Sequence, residues 1–171
     1  MVGIKITGFV VGLFLLTSAA YGVEKFAVVD LQKALNLSKA GKDAKETFGK
    51  KVESAQKLVE TREQELKRLQ TEFEKQGLLL STDARVEKTK EFEAKRRDLE
   101  RYVKDSRDEL TMEERRLTNK ILEEIEKVVQ RVGKEEGYTF IFERNQSGLL
   151  YLRDVLDLTD RVIKAYDAQK K

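Results

Sequence analysis

The chain has 171 residues, 38% of them charged, and contains no cysteine, histidine or proline. Disulfides, thiolate chemistry and imidazole catalysis are therefore excluded, and an enzyme built on it would have to work with Asp, Glu, Lys or Tyr alone. The 34 basic and 31 acidic residues leave a net charge of +3, too small by itself to argue for nucleic acid as a partner.

Residues 1–22 read as a secretory signal peptide. Lys5 supplies a small positive start, Ile6 to Leu16 an apolar run, and TSAAYG a cleavage site with Ala20 and Gly22 at its small-residue positions before Val23. The apolar run is short for a membrane span. The competing reading is an uncleaved anchor.

KFAVVDL (25–31) alternates as a strand, with Phe26 and Val28 on one face and Ala27, Val29 and Leu31 on the other. Both faces are apolar, so both should be covered. QKALNLSKA (32–40) follows as a short helix, with Gly41 as a weak break.

From Lys42 to residue 78 the pattern is heptad. Val52, Val59, Leu66 and Phe73 recur every seven residues, and Ala55, Arg62, Leu69 and Gln76 take the second seam position. Two of those four are polar, so the seam is imperfect. Glu53–Lys57 and Glu63–Lys67 are favourable i,i+4 pairs. Gly77 can end this helix within GLLLSTDA (77–84), and Ser81 can cap the next, with Asp83 near its positive end.

The second helix is expected over 82–132, on the apolar line Phe92, Leu99, Val103, Leu110, Leu117, Ile121, Ile125, Val128 and Val132. Gly133 and Gly137 bracket its end. No proline interrupts either helix. With a tip near 77–81, the two helices must run antiparallel as an arm on the order of 50–75 Å long.

YTFIFE (138–143), RNQSG (144–148) and LLYLRD (149–154) then read as strand, turn and strand of a hairpin. DLTDRVIKAYD (157–167) reads as a helix capped by Thr159, with Asp160 in its first turn and Leu158 stapled against Ile163. The chain thus divides into a β-structured body (23–41 and 133–171) and a helical-hairpin arm (42–132). The fold class is α+β, a long coiled-coil hairpin projecting from a small oligomerisation body.

So small a sheet cannot bury its own apolar side chains. Phe26, Val28, Val29, Phe140, Ile141, Phe142, Leu150, Tyr151 and Leu152 crowd both faces, which points to self-association through the body. The alternative is that the terminal helix covers one face and the arm roots the other.

The order of these segments resembles the Skp/OmpH family of periplasmic chaperones. The resemblance runs from residue 23 to 168. It is carried by KFAVVDLQKALNLSKAGK, MEERRLTNKILEEIEKVVQRVGKEEGYTFIFERNQSGLLYL and DLTDRVIKAY. It implies a homotrimer whose arms enclose a cavity, and a periplasmic location. It also implies a holding function for unfolded outer-membrane proteins that uses neither ATP nor any other cofactor. The family is further linked to membrane lipopolysaccharide through basic residues on the arms. Residues 80–110 do not match closely enough to carry that site across residue by residue.

Two clusters are candidates for binding clients or anions. Lys95, Arg96, Arg97, Arg101, Lys104 and Arg107 lie on the outer arm, and could attract anionic clients or lipid head groups. The plainer reading is a solvated face paired internally through Glu91–Lys95, Glu93–Arg97 and Glu100–Lys104. Leu78, Leu79 and Leu80 at the tip could touch clients or a membrane surface. Equally, they could close the coil against Val86. Glu113–Glu114 and Glu123–Glu124 diverge by about 100° along a helix, so neither pair converges on one metal ion. No metal site is expected. A structural spacer or adaptor of the cell envelope is the rival to the chaperone reading.

Overall fold

The computed structural model describes residues 24–76, 79–146, 148, 150–151 and 153–169. The signal-peptide segment, Leu78 and Leu152 lie outside the described residues. The elements are β1 (Phe26–Val29), α1 (Leu31–Leu37), α2 (Lys39–Gln76), α3 (Thr82–Glu136), β2 (Phe140–Glu143), β3 (Leu156–Asp157) and α4 (Thr159–Gln169). The fold is α+β, with two long helices and one small sheet.

Asp30 caps α1, its Oδ1 accepting from the Lys33 N–H at 2.7 Å. The break between α1 and α2 falls at Ser38, not at Gly41. The buried Ser38 hydroxyl donates to the Leu35 carbonyl and accepts from the Gly41 N–H, so it is satisfied. Gly41 lies inside α2, where a Cβ would overlap the Leu35 carbonyl oxygen. It allows close approach rather than a break.

Ser81 caps α3, accepting from the Ala84 N–H, with Asp83 in the first turn. At 1.5 Å per residue α2 and α3 span about 57 and 82 Å. The second helix runs past the expected 132, because Gly133 is a packing residue. A Cβ on it would come within 3.1 Å of Ile141 Cδ1, so glycine lets α3 lie against β2. The helix stops at Gly137, which takes the left-handed φ of 67° and donates its N–H to the Gly133 carbonyl.

The sheet has the order β2-β1-β3, and both pairings are parallel. This corrects the hairpin expected over 138–154. After β2 the Glu143 carboxylate accepts from the N–H groups of Asn145 and Gln146 and turns the chain. Leu150 and Tyr151 are exposed and form no strand. Gly148 and Asp154 both take positive φ, which extended backbone does not adopt. The chain returns on the far side of β1, where Leu156 pairs with Ala27 and Asp157 with Val28. Arg144 and Asp157, 2.7 Å apart, tie the two ends of the excursion.

Thr159 opens α4 but does not cap it. Its hydroxyl accepts from the Asp30 N–H at 2.9 Å, tying α4 to the end of β1. Asp157 takes the capping role by accepting from the Thr159 N–H.

The core lies between one face of the sheet and the helices at its back. Ala27 and Val29 of β1 meet Ala34 and Leu35, then Ile121, Ile125, Val128 and Val132 of α3, and Leu158, Val162 and Tyr166 at the end of the chain. Tyr166 is buried and donates to Glu124 at 2.6 Å; burial and that carboxylate push its phenol pKa up. In α3 the buried residues are confined to this root, and α2 has none. Beyond the root, the two helices hold each other by a half-buried stripe.

Candidate functional site

Two surfaces are left incomplete by the fold: the outer face of the sheet and the flank of the arm. On the sheet, pleating sends Ala27 and Val29 into the core and turns Phe26 and Val28 the other way. The parallel register sets Phe140 beside Phe26 and Phe142 beside Val28. Phe26 and Phe140 stack at 6.0 Å, and Phe140 and Phe142 at 5.8 Å. Phe26 remains 41% and Phe140 54% exposed, although Val28 is covered. Of the expected body residues, Val29 and Ile141 turn to the core side. Phe26, Val28, Phe140 and Phe142 share the outer face. Leu150 and Tyr151 stand apart on the excursion, 100% and 78% exposed.

On the arm, a cleft of about 750 Å³ opens at the root among Leu35, Leu37, Gly41, Phe48, Leu117 and Ile121. A second, of about 610 Å³, continues outward over Phe48, Val52, Val59, Val103 and Leu110. Both include Phe48 and Glu114, so they form one trough along the hairpin. Its floor is apolar, and Lys45, Glu60, Arg107 and Glu114 stand along it. A smaller apolar cleft of about 260 Å³ lies near the tip between Leu69, Phe73 and Phe92. The sequence reading placed most of these residues in the seam and missed the trough. Phe48, four residues before Val52 on the same helical face, was the available signal.

The basic cluster is mostly neutralised. Lys95 reaches across the hairpin to Glu65 at 2.6 Å, where Glu91 had been the expected partner. Arg96 pairs with Glu93 and Glu100, so Glu100 serves Arg96 and not Lys104. Arg97 approaches Glu93 at 3.9 Å, and Arg101 pairs with Asp98. Among the described residues, no carboxylate lies within 4 Å of Lys104 or Arg107. At the tip Leu79 is 87% exposed, while Leu80 is half-buried.

Among the described residues, three polar contacts that cross from α2 to α3 stand out. Lys51 pairs with Glu113 at 2.5 Å, Arg62 lies over the Tyr102 ring at 4.6 Å, and Glu65 meets Lys95. Hydrogen bonds from Arg116 and Lys51 hold the Glu113 carboxyl well below the usual range, at about 2. No group of acidic residues that could hold a metal occurs among the described residues. No described helix is long and apolar enough to cross a membrane.

The model of one family, outer membrane protein (OmpH-like), matches residues 25–166. The chain belongs to the OmpH-like family. An uncharacterized protein of Aquifex aeolicus (strain VF5) is 26% identical to this OmpH-like chain over 142 residues, covering 83% of the chain and 85% of the relative. The fold is shared with a candidate outer membrane chaperone (OmpH-like) of Caulobacter crescentus CB15, solved by crystallography. The TM-score is 0.79 at 15% identity, over 92% of both chains.

Proposed function

We propose that this OmpH-like protein is an ATP-independent periplasmic holdase. Three copies join through the outer faces of their sheets, and their arms surround a space in which unfolded outer-membrane proteins are kept from aggregating. The observation that carries the reading is an arm that fully buries no described side chain beyond its root, springing from a base whose aromatic face is left open. Such a face stabilises an assembly of copies far more than it stabilises one chain.

The trough supplies many weak apolar contacts rather than one tight pocket. Multivalent weak contacts hold an unfolded chain strongly in sum while each remains reversible. The charged rims keep the arms soluble when empty. Lys104, Arg107 and the exposed tip are the places where anionic clients or lipid head groups would meet charge and apolar surface together. No catalytic step and no cofactor belong to this function.

The discriminating experiment is capture of one outer-membrane barrel protein in two states, unfolded from urea and folded in detergent. A holdase retains the unfolded form. An envelope spacer or adaptor would retain both or neither, and that result would overturn the proposal.

A further inference from the structure

The middle of the arm's apolar seam defines its alignment only weakly. Val52, Val59, Leu66 and Phe73 repeat every seven residues, and the facing helix offers Val103, Leu110 and Leu117 at the same spacing. Sliding one helix past the other by a heptad replaces Val103 with Leu110 and Leu110 with Leu117. On that stretch apolar residues still face apolar residues, although near the tip Phe92 leaves Leu69 and Phe73 for Gln76. A narrow seam of this kind needs polar residues to select one register.

We infer that Lys51–Glu113, Arg62–Tyr102 and Glu65–Lys95 form a register lock for the hairpin. All three fit one antiparallel alignment. They also penalise slippage in both directions. A one-heptad slide one way sets Lys120 opposite Lys51, Glu109 opposite Arg62 and Tyr102 opposite Glu65. The slide the other way sets Ser106, Lys95 and Lys88 opposite the same three residues. Each slide loses all three native contacts, creates one new opposite-charge pair, and brings one pair of like charges together: Lys51 with Lys120, or Arg62 with Lys95. The lock accounts for Arg62, which occupies an apolar seam position in the heptad pattern. It stands independently of the holdase reading, because it concerns the alignment of the arm and not what the arm holds.

The chain lacks cysteine, so introduced pairs report register without background. Ala55 and Ser106 line the clefts on both flanks of the hairpin and report the native alignment as Ala55→Cys with Ser106→Cys. Leu69→Cys with Leu99→Cys reports the slide that sets Lys120 opposite Lys51, and Ala55→Cys with Leu99→Cys the opposite slide. Under oxidation the otherwise unaltered mature protein should give the intramolecular disulfide only from the native pair. Lys51→Glu with Glu65→Lys sets like charges together in the native register. In the first slide the same changes create a Glu–Lys pair at 51 and 120 and place a lysine at Tyr102. This variant should shift the yield ratio from the native reporter toward the Leu69/Leu99 reporter by about tenfold.

An undiminished native disulfide in the Lys51→Glu/Glu65→Lys protein would overturn the inference. Should that variant instead lose its helical circular dichroism, the full exchange decides, with Glu113→Lys and Lys95→Glu added. Return of the native disulfide supports the lock, and failure to return refutes it.

Discussion

Lys51 Nζ stands 2.5 Å from Glu113 Oε1, joining the outgoing helix of the arm to the returning one. Arg116 donates to the other oxygen of the same carboxylate at 2.6 Å, and the Glu113 side chain is only 16% exposed. One acidic residue therefore holds one cation from each helix.

That geometry sets a pH dependence. Hydrogen bonds from Arg116 and Lys51 lower the Glu113 pKa from 4.5 to about 2. A carboxyl whose pKa is depressed on folding stabilises the fold above its unfolded pKa, and the contribution is lost as pH falls toward the folded value. Thermal melts of the helical signal should lose stability between pH 4.5 and about 2, and Glu113→Gln should lose less across that window. Equal losses in the two proteins would remove Glu113 from the account.

The two α2 glycines should respond to alanine in opposite directions. A Cβ at Gly41 overlaps the Leu35 carbonyl, whereas a Cβ at Gly49 meets nothing within 4 Å. Gly41→Ala should cost about 1–3 kcal/mol by forcing α1 and α2 apart. Gly49→Ala should add about 0.5–1 kcal/mol, because glycine in a helix interior gives up more chain entropy. Denaturant midpoints of the two variants read both effects.

The long elements were legible in the sequence because their signals are local and periodic. Heptads and the Ser81 cap placed the two long helices within a few residues, with the end of the second set at 132, four residues short of Glu136. The body was less legible, because its sheet is assembled from distant segments. A run such as LLYL resembles a strand in isolation. Leu156–Asp157 takes the place beside β1 because Leu158 N–H reaches the Val28 carbonyl, a contact no local pattern reveals. The same limit hid the partner of Lys95. An i,i+4 rule sees Glu91, but the hairpin brings Glu65 closer. Gly41 and Gly133 read as breaks because sequence shows a missing side chain, not the backbone or neighbour packed against it.

The aromatic face should govern assembly. Phe140 is more than half exposed and stacks between Phe26 and Phe142. Phe140→Ser should change the stability of a single subunit by no more than about 0.5–1 kcal/mol. Yet it should move the mature protein from trimer to monomer in light-scattering chromatography at micromolar concentration. A trimer of unchanged strength would place the interface elsewhere.

Charge reversals on the arm should differ according to pairing. Lys104 and Arg107 have no carboxylate within 4 Å among the described residues, while Arg96 and Arg97 already face Glu93. Lys104→Glu with Arg107→Glu should weaken binding of an acidic unfolded client about threefold to tenfold and flatten its salt dependence. Arg96→Glu with Arg97→Glu should do less. The reverse order, read by fluorescence titration at two salt concentrations, would mean that the pairs open on binding.

The most direct test of the sheltering role is aggregation itself. A urea-unfolded outer-membrane barrel protein is diluted into buffer with and without the mature chain, and turbidity is followed. The account predicts suppression at a small molar excess of trimer, without nucleotide. Unchanged turbidity at a large excess, from protein shown to be helical and assembled, would contradict it.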